Sequence, residues 1–147
     1  MNAVLFIVLA FLAGVFIAVQ APTNALLGKA SGSSIAAALI SFAIGTAALA
    51  AVLLATGWVR ITPAWRELPW YAWLGGIYGA FFVAIAALAA PRIGVGALLT
   101  AAVAGQLLAA LVLDHYGLLG LPKQPATLMR LLGLTMVFIG AVLVRRG

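Results

Sequence analysis

The chain has 147 residues, of which 67% are hydrophobic and 7% charged, with a mean hydropathy of +1.27. A water-soluble domain carries roughly 25% charged residues, so most of this surface faces lipid and the composition indicates an all-α integral membrane protein. The net charge of +6 rests on eight scattered Lys and Arg that flank apolar segments, which excludes the clustered basic surface nucleic acid requires, and zero cysteines exclude a disulfide framework.

A spanning helix needs about 20 apolar residues. The first reads from about residue 4 to residue 27, with a break near 22, because Pro22 lacks the N–H that a helix interior needs. Met1-Asn2-Ala3 carries no Lys or Arg and no small-residue cleavage site follows, so this segment is read as retained. Gly32-Ser33-Ser34 supplies turn and N-cap chemistry for a second span over about 35–56, closed by Gly57. Residues 58–68 form a loop with Trp58, Arg60, Trp65, Arg66 and Glu67. Together with Trp70 and Tyr71 its aromatics read as an interfacial belt, ligand stacking being the other reading.

Pro69 stands where a first helical turn tolerates proline, ahead of a third span over about 70–90 that Pro91-Arg92 ends. The fourth runs over about 93–113, so short a connection making spans three and four antiparallel neighbours. Asp114-His115-Tyr116-Gly117 and Pro122-Lys123-Gln124-Pro125 make a second polar loop. Thr127 is placed to cap a fifth span over about 128–144, which ends at Arg145-Arg146. Residues 1–147 thus form a single transmembrane domain of five helices, with its termini on opposite sides.

The basic residues divide evenly in that arrangement. Arg60, Arg66, Lys123 and Arg130 fall on the N-terminal side, and Lys29, Arg92, Arg145 and Arg146 on the other, four against four. Orientation follows the difference in Lys and Arg between the two sides. A zero difference points to dual topology, in which copies insert both ways and pair as an antiparallel dimer of about ten helices. The other reading is an orientation fixed weakly by the first helix or by a partner. Gly75 and Gly79 form a G-x-x-x-G, and Gly133 and Gly140 share a face of span five. Small residues at such spacing let helix backbones approach, within one copy or across a dimer.

Polar residues within spans point to function because lipid makes them costly. Gln20, Asn24, Ser41 and Gln106, with Tyr78 among the aromatics, are the candidate lining of a substrate cavity. Gln20 and Asn24 are i, i+4 and share a helical face. Counting 1.5 Å per residue puts Gln20 and Ser41 at one depth from the same side, and Gln106 at that depth only in an inverted partner. Helix stapling by the amides is the alternative. Asp114 and His115 form a membrane-edge pair, either proton-linked or structural, fixing a helix end. With no zinc motif, nucleophile–base set or phosphate loop, the sequence gives no support for an enzyme, a metal or a cofactor.

The stretch Val19-Gln20-Ala21-Pro22-Thr23-Asn24 through Leu27-Gly28, Ile40-Ser41-Phe42 through Gly45-Thr46, Trp73-Leu74-Gly75-Gly76, Pro91-Arg92-Ile93-Gly94, and Ala104-Gly105-Gln106 to Asp114-His115-Tyr116-Gly117 follow one another along nearly the whole chain. In these it resembles the YdcZ-type family of small five-helix bacterial proteins in the drug/metabolite transporter superfamily. The resemblance implies a multi-pass protein of the bacterial inner membrane acting as an EamA-like half-transporter, since larger superfamily members carry two five-helix halves in inverted repeat. The missing half would be an inverted second copy or an oppositely oriented paralogue. Four-helix relatives of the small multidrug resistance group exchange cations for protons through a Glu in their first helix, and this chain has no acid there.

Together these readings predict a small-molecule transporter, an exporter, working by alternating access as an antiparallel dimer in the bilayer. The rival is a non-transporting membrane scaffold or assembly subunit.

Overall fold

The computed structural model describes residues 3–57 and 63–146; Trp58 and Arg60 lie outside the described residues. Five α-helices occur in chain order: α1 (Ala3–Ser31), α2 (Ser34–Thr56), α3 (Gly75–Ile93), α4 (Val95–Tyr116) and α5 (Leu128–Arg146). Short 3₁₀ segments cover Pro63–Glu67, Trp70–Leu74 and Leu118–Gly120. In α1 every residue from Val4 to Leu9 is exposed and apolar, so no face of this first stretch of the helix is suited to water. Four segments are long and apolar enough to cross a membrane: Ala3–Ser31, Ser34–Thr56, Trp70–Ile93 and Val95–Tyr116. The fifth apolar helix, Leu128–Val144, is shorter.

Several helix boundaries differ from the sequence reading, and the third span, expected from about residue 70, opens with the 3₁₀ segment Trp70–Leu74 before α3 begins at Gly75. The break expected near residue 22 is absent: α1 continues through Pro22 to Ser31. Proline within an apolar helix is tolerated where side chains re-satisfy the backbone around it. The Thr23 hydroxyl donates to the carbonyls of Gln20 at 2.8 Å and Val19 at 3.2 Å, next to the Ala18 carbonyl whose amide donor Pro22 removes. Likewise α3 passes Pro91 and ends at Ile93, with the Arg92 guanidinium folded back onto the Leu88 carbonyl. The last turn of α4 takes in Asp114, His115 and Tyr116, which the sequence reading put in a loop. Glycines end these helices: Gly32, Gly94 and Gly117 have φ of 70°, 80° and 63°, a region only glycine adopts freely.

The chain divides into two compact units, Met1–Arg92 and Ile93–Gly147. In the first, α1 and α2 pack as a helical hairpin. A Cβ on Gly28 would lie 3.7 Å from the Ala37 Cβ, so small residues let the two backbones close. Ser33 caps α2, its hydroxyl accepting the Ala36 N–H at 3.2 Å. On α3, Gly79 faces Phe42 of α2, whose Cζ would be 3.1 Å from an added Cβ, whereas one on Gly75 would meet nothing within 4 Å. Of the G-x-x-x-G pair, only Gly79 makes a close contact among the described residues of this unit.

In the second unit α4 and α5 form an antiparallel hairpin. Gly96 approaches Val144 at one end, with 3.7 Å between Val144 Cγ1 and an added Cβ, and Asp114 pairs with Arg130 at the other. Thr127 caps α5 through the Arg130 N–H at 3.3 Å. A Cβ at Gly133 or Gly140 would meet nothing within 4 Å.

Candidate functional site

The continuous helix through Pro22 keeps Gln20, Thr23, Asn24 and Leu27 in one helical frame, and spacings of three and four residues put them along one face. With Leu26 and Ala30 they line a groove of about 590 Å³ completed by Ser41 and Ile44 of α2. Three of the predicted cavity residues, Gln20, Asn24 and Ser41, are therefore brought together. Tyr78 does not belong to this lining and is 63% exposed on α3. Gln106 belongs to the other unit, exposed near the middle of α4.

Asn24 is the distinctive member. Only 3% exposed, it is the one buried polar residue among the described residues, and its Nδ2 finds no hydrogen-bond partner there. An unpaired buried amide costs about 1–3 kcal/mol, and Asn24, a lining residue of the groove, carries such an unsatisfied donor. Ser41 and Gln20 are half-buried, and their side chains make no hydrogen bond among the described residues. The Thr23 hydroxyl, tied as donor to the backbone, retains acceptor capacity. No lining residue is charged. Such a surface holds polar but uncharged groups against Leu26, Leu27 and Ile44.

Revised helix ends also change the depths. Asn24 lies seven residues before the end of α1 and Ser41 seven after the start of α2, so these two are level, each about 10 Å in. Gln20 lies one turn deeper, about 16 Å from Ser31, and not level with Ser41 as the sequence reading had it. Thr23 is the member the sequence reading overlooked. Its position three residues after Gln20 was the available signal, but a hydroxyl beside proline reads first as a backbone repair.

At the far end of α4 the adjacent Asp114 and His115 diverge. The Asp114 carboxylate pairs with Arg130 at 3.3 Å, and the same guanidinium donates to the Gln124 side-chain carbonyl. His115 Nδ1 accepts the Ala126 N–H at 3.0 Å, and its ring stacks edge-on against Tyr116 with centroids 4.7 Å apart. The Asp114 carbonyl accepts the Gln124 N–H at 2.7 Å. The ring contact with Tyr116 stays within α4, and each of the hydrogen bonds and the ion pair runs to the 117–127 connection or the start of α5.

An all-helical chain with four segments long and apolar enough to cross a membrane has the architecture of a multi-pass membrane protein. The chain belongs to the family described as "Putative inner membrane exporter, YdcZ", whose model matches residues 5–143. It is thus an inner-membrane protein of an exporter family. Among curated proteins and among solved structures, none matches this chain.

Proposed function

We propose that this protein is a small-molecule exporter whose substrate enters the groove of Gln20, Thr23, Asn24 and Ser41. The observation that carries the reading is the buried, unpartnered Asn24 amide on a groove large enough for a small solute. A scaffold would gain nothing from an unpaired buried donor, since stapling requires that the amide be paired. The absence of charge in the lining favours a neutral solute carrying a hydrogen-bond acceptor, and with no acid on α1 the proton-exchange scheme of the four-helix relatives has no counterpart there.

The working form is an antiparallel dual-topology dimer of five-span copies, alternating between two inverted states. An oppositely oriented paralogue could replace one copy. Even charge supports this, as do helix lengths: Gln106 lies about 15 Å from the end of α4, matching the depth of Gln20 in α1. In an inverted pair, Gln106 of one copy comes level with Gln20 of the other.

Purified protein in liposomes, tested with a panel of neutral and cationic solutes, decides the matter. Transport of a neutral acceptor-bearing solute, lost in Asn24→Leu and in Gln106→Leu with dimer retained, is the expected result. Failure to move any solute while a reference transporter works would remove the exporter reading.

A further inference from the structure

Between α4 and α5 runs a second groove, about 430 Å³, that the proposed transport path does not use. Its floor is apolar, with Leu107, Ala110 and Leu111 on α4 and Gly133, Leu134 and Val137 on α5. At its mouth stand Asp114, in the last turn of α4, and Arg130, in the first turn of α5. Their side chains are 34% and 38% exposed, so both charges keep open coordination while facing each other at 3.3 Å. The carboxylate uses only Oδ2 in that pair, leaving Oδ1 without a partner among the described residues. Open space lies over Gly133, where an added Cβ would meet nothing within 4 Å.

We propose that this groove is a binding site for a zwitterionic phospholipid whose headgroup carries a primary ammonium, phosphatidylethanolamine being the probe. An acyl chain lies along the apolar floor, the phosphate takes free guanidinium N–H groups of Arg130, and the ammonium donates to Asp114 Oδ1. The charge pattern selects the headgroup. A net-neutral mouth with one cation and one anion gives an anionic headgroup one favourable and one unfavourable contact, whereas a zwitterion gains both. A quaternary ammonium offers Asp114 charge but no N–H, and loses the charge-assisted hydrogen bond. Helix ends at the membrane interface are where basic side chains meet lipid phosphate.

Delipidated full-length protein is titrated with phosphatidylethanolamine, phosphatidylcholine and phosphatidylglycerol of equal chain length and read by native mass spectrometry. The expected result is phosphatidylethanolamine held about tenfold more tightly than phosphatidylcholine. Asp114→Asn brings the two within about twofold, and Gly133→Leu, filling the groove, weakens phosphatidylethanolamine about tenfold while circular dichroism stays unchanged. Because Gly133 has open space around it, that variant keeps the test decisive even should Asp114→Asn misfold. Equal retention of phosphatidylethanolamine and phosphatidylcholine by the wild-type chain overturns the proposal. So does a preference for phosphatidylglycerol, or a Gly133→Leu protein that retains lipid normally but loses its dimer, which would make the groove a seat for a second copy.

Discussion

The Nδ1 of His115 accepts the backbone N–H of Ala126 at 3.0 Å, eleven residues further along the chain. Its neighbour Asp114 turns to Arg130 instead. Two residues that sequence proximity suggests as a pair thus serve separate bonds, because adjacent positions on a helix point about 100° apart. Together they tie the connection after α4 to that helix's last turn, where Gly117, at φ 63°, reverses the chain.

A stabilising role for the ring follows. His115→Ala leaves the Ala126 N–H unpaired and is expected to cost about 1 kcal/mol or more, read as a fall of a few degrees in thermal midpoint by circular dichroism in detergent. His115→Asn, which keeps an acceptor, loses less. A unit whose melting is indifferent to both would show that the bond contributes nothing.

Asn24 gives the opposite signature. Replacing it with Leu, similar in size, removes a buried donor without a partner, so the ligand-free protein should gain about 1–3 kcal/mol. Transport should fall at least about tenfold, the trade expected where a functional site is held at a cost to stability. Asn24→Leu that destabilises would mean the amide is paired in the working protein and belongs to packing.

Gly79 and Gly75 separate contact from coincidence. A Cβ at Gly79 would lie 3.1 Å from Phe42 Cζ, so Gly79→Leu should cost about 1–3 kcal/mol by overpacking. Phe42→Ala in the same chain should return much of that loss, a coupling a double-mutant cycle measures. Gly75→Ala meets open space and should be neutral or stabilise by up to about 1 kcal/mol through helix propensity.

Element number and order were legible because lipid-facing helices carry their signal in composition alone. The ends were less so, and the misreadings share one cause. The sequence pattern makes Pro22 a break, and Pro91 and the polar Asp114-His115 terminators, on rules drawn from water-exposed helices. Here Thr23 and Arg92 supply hydrogen bonds to nearby carbonyls and the helices run on to Gly32, Gly94 and Gly117. Gln20, Asn24 and Ser41 could be found because intramembrane amides and hydroxyls are rare. That Asn24 alone would be buried without a partner depends on how closely α1 and α2 approach, which no residue pattern states.

The fifth helix decides what the charge balance means. Its apolar stretch, Leu128–Val144, extends about 25 Å, the short limit for a span. If α5 crosses, four basic residues stand on each side and copies insert both ways. If it stays on the side where it begins, Arg145 and Arg146 join Arg60, Arg66, Lys123 and Arg130, making six against two and one fixed orientation. Carboxy-terminal reporters active on opposite sides of the membrane distinguish these directly, and comparable signals from both are expected. Replacing Arg145 and Arg146 together by Ala leaves four against two, so the same reporters should then favour one side by several-fold. A wild-type signal confined to one side would end the homodimer reading, and an oppositely oriented paralogue would have to supply the inverted half.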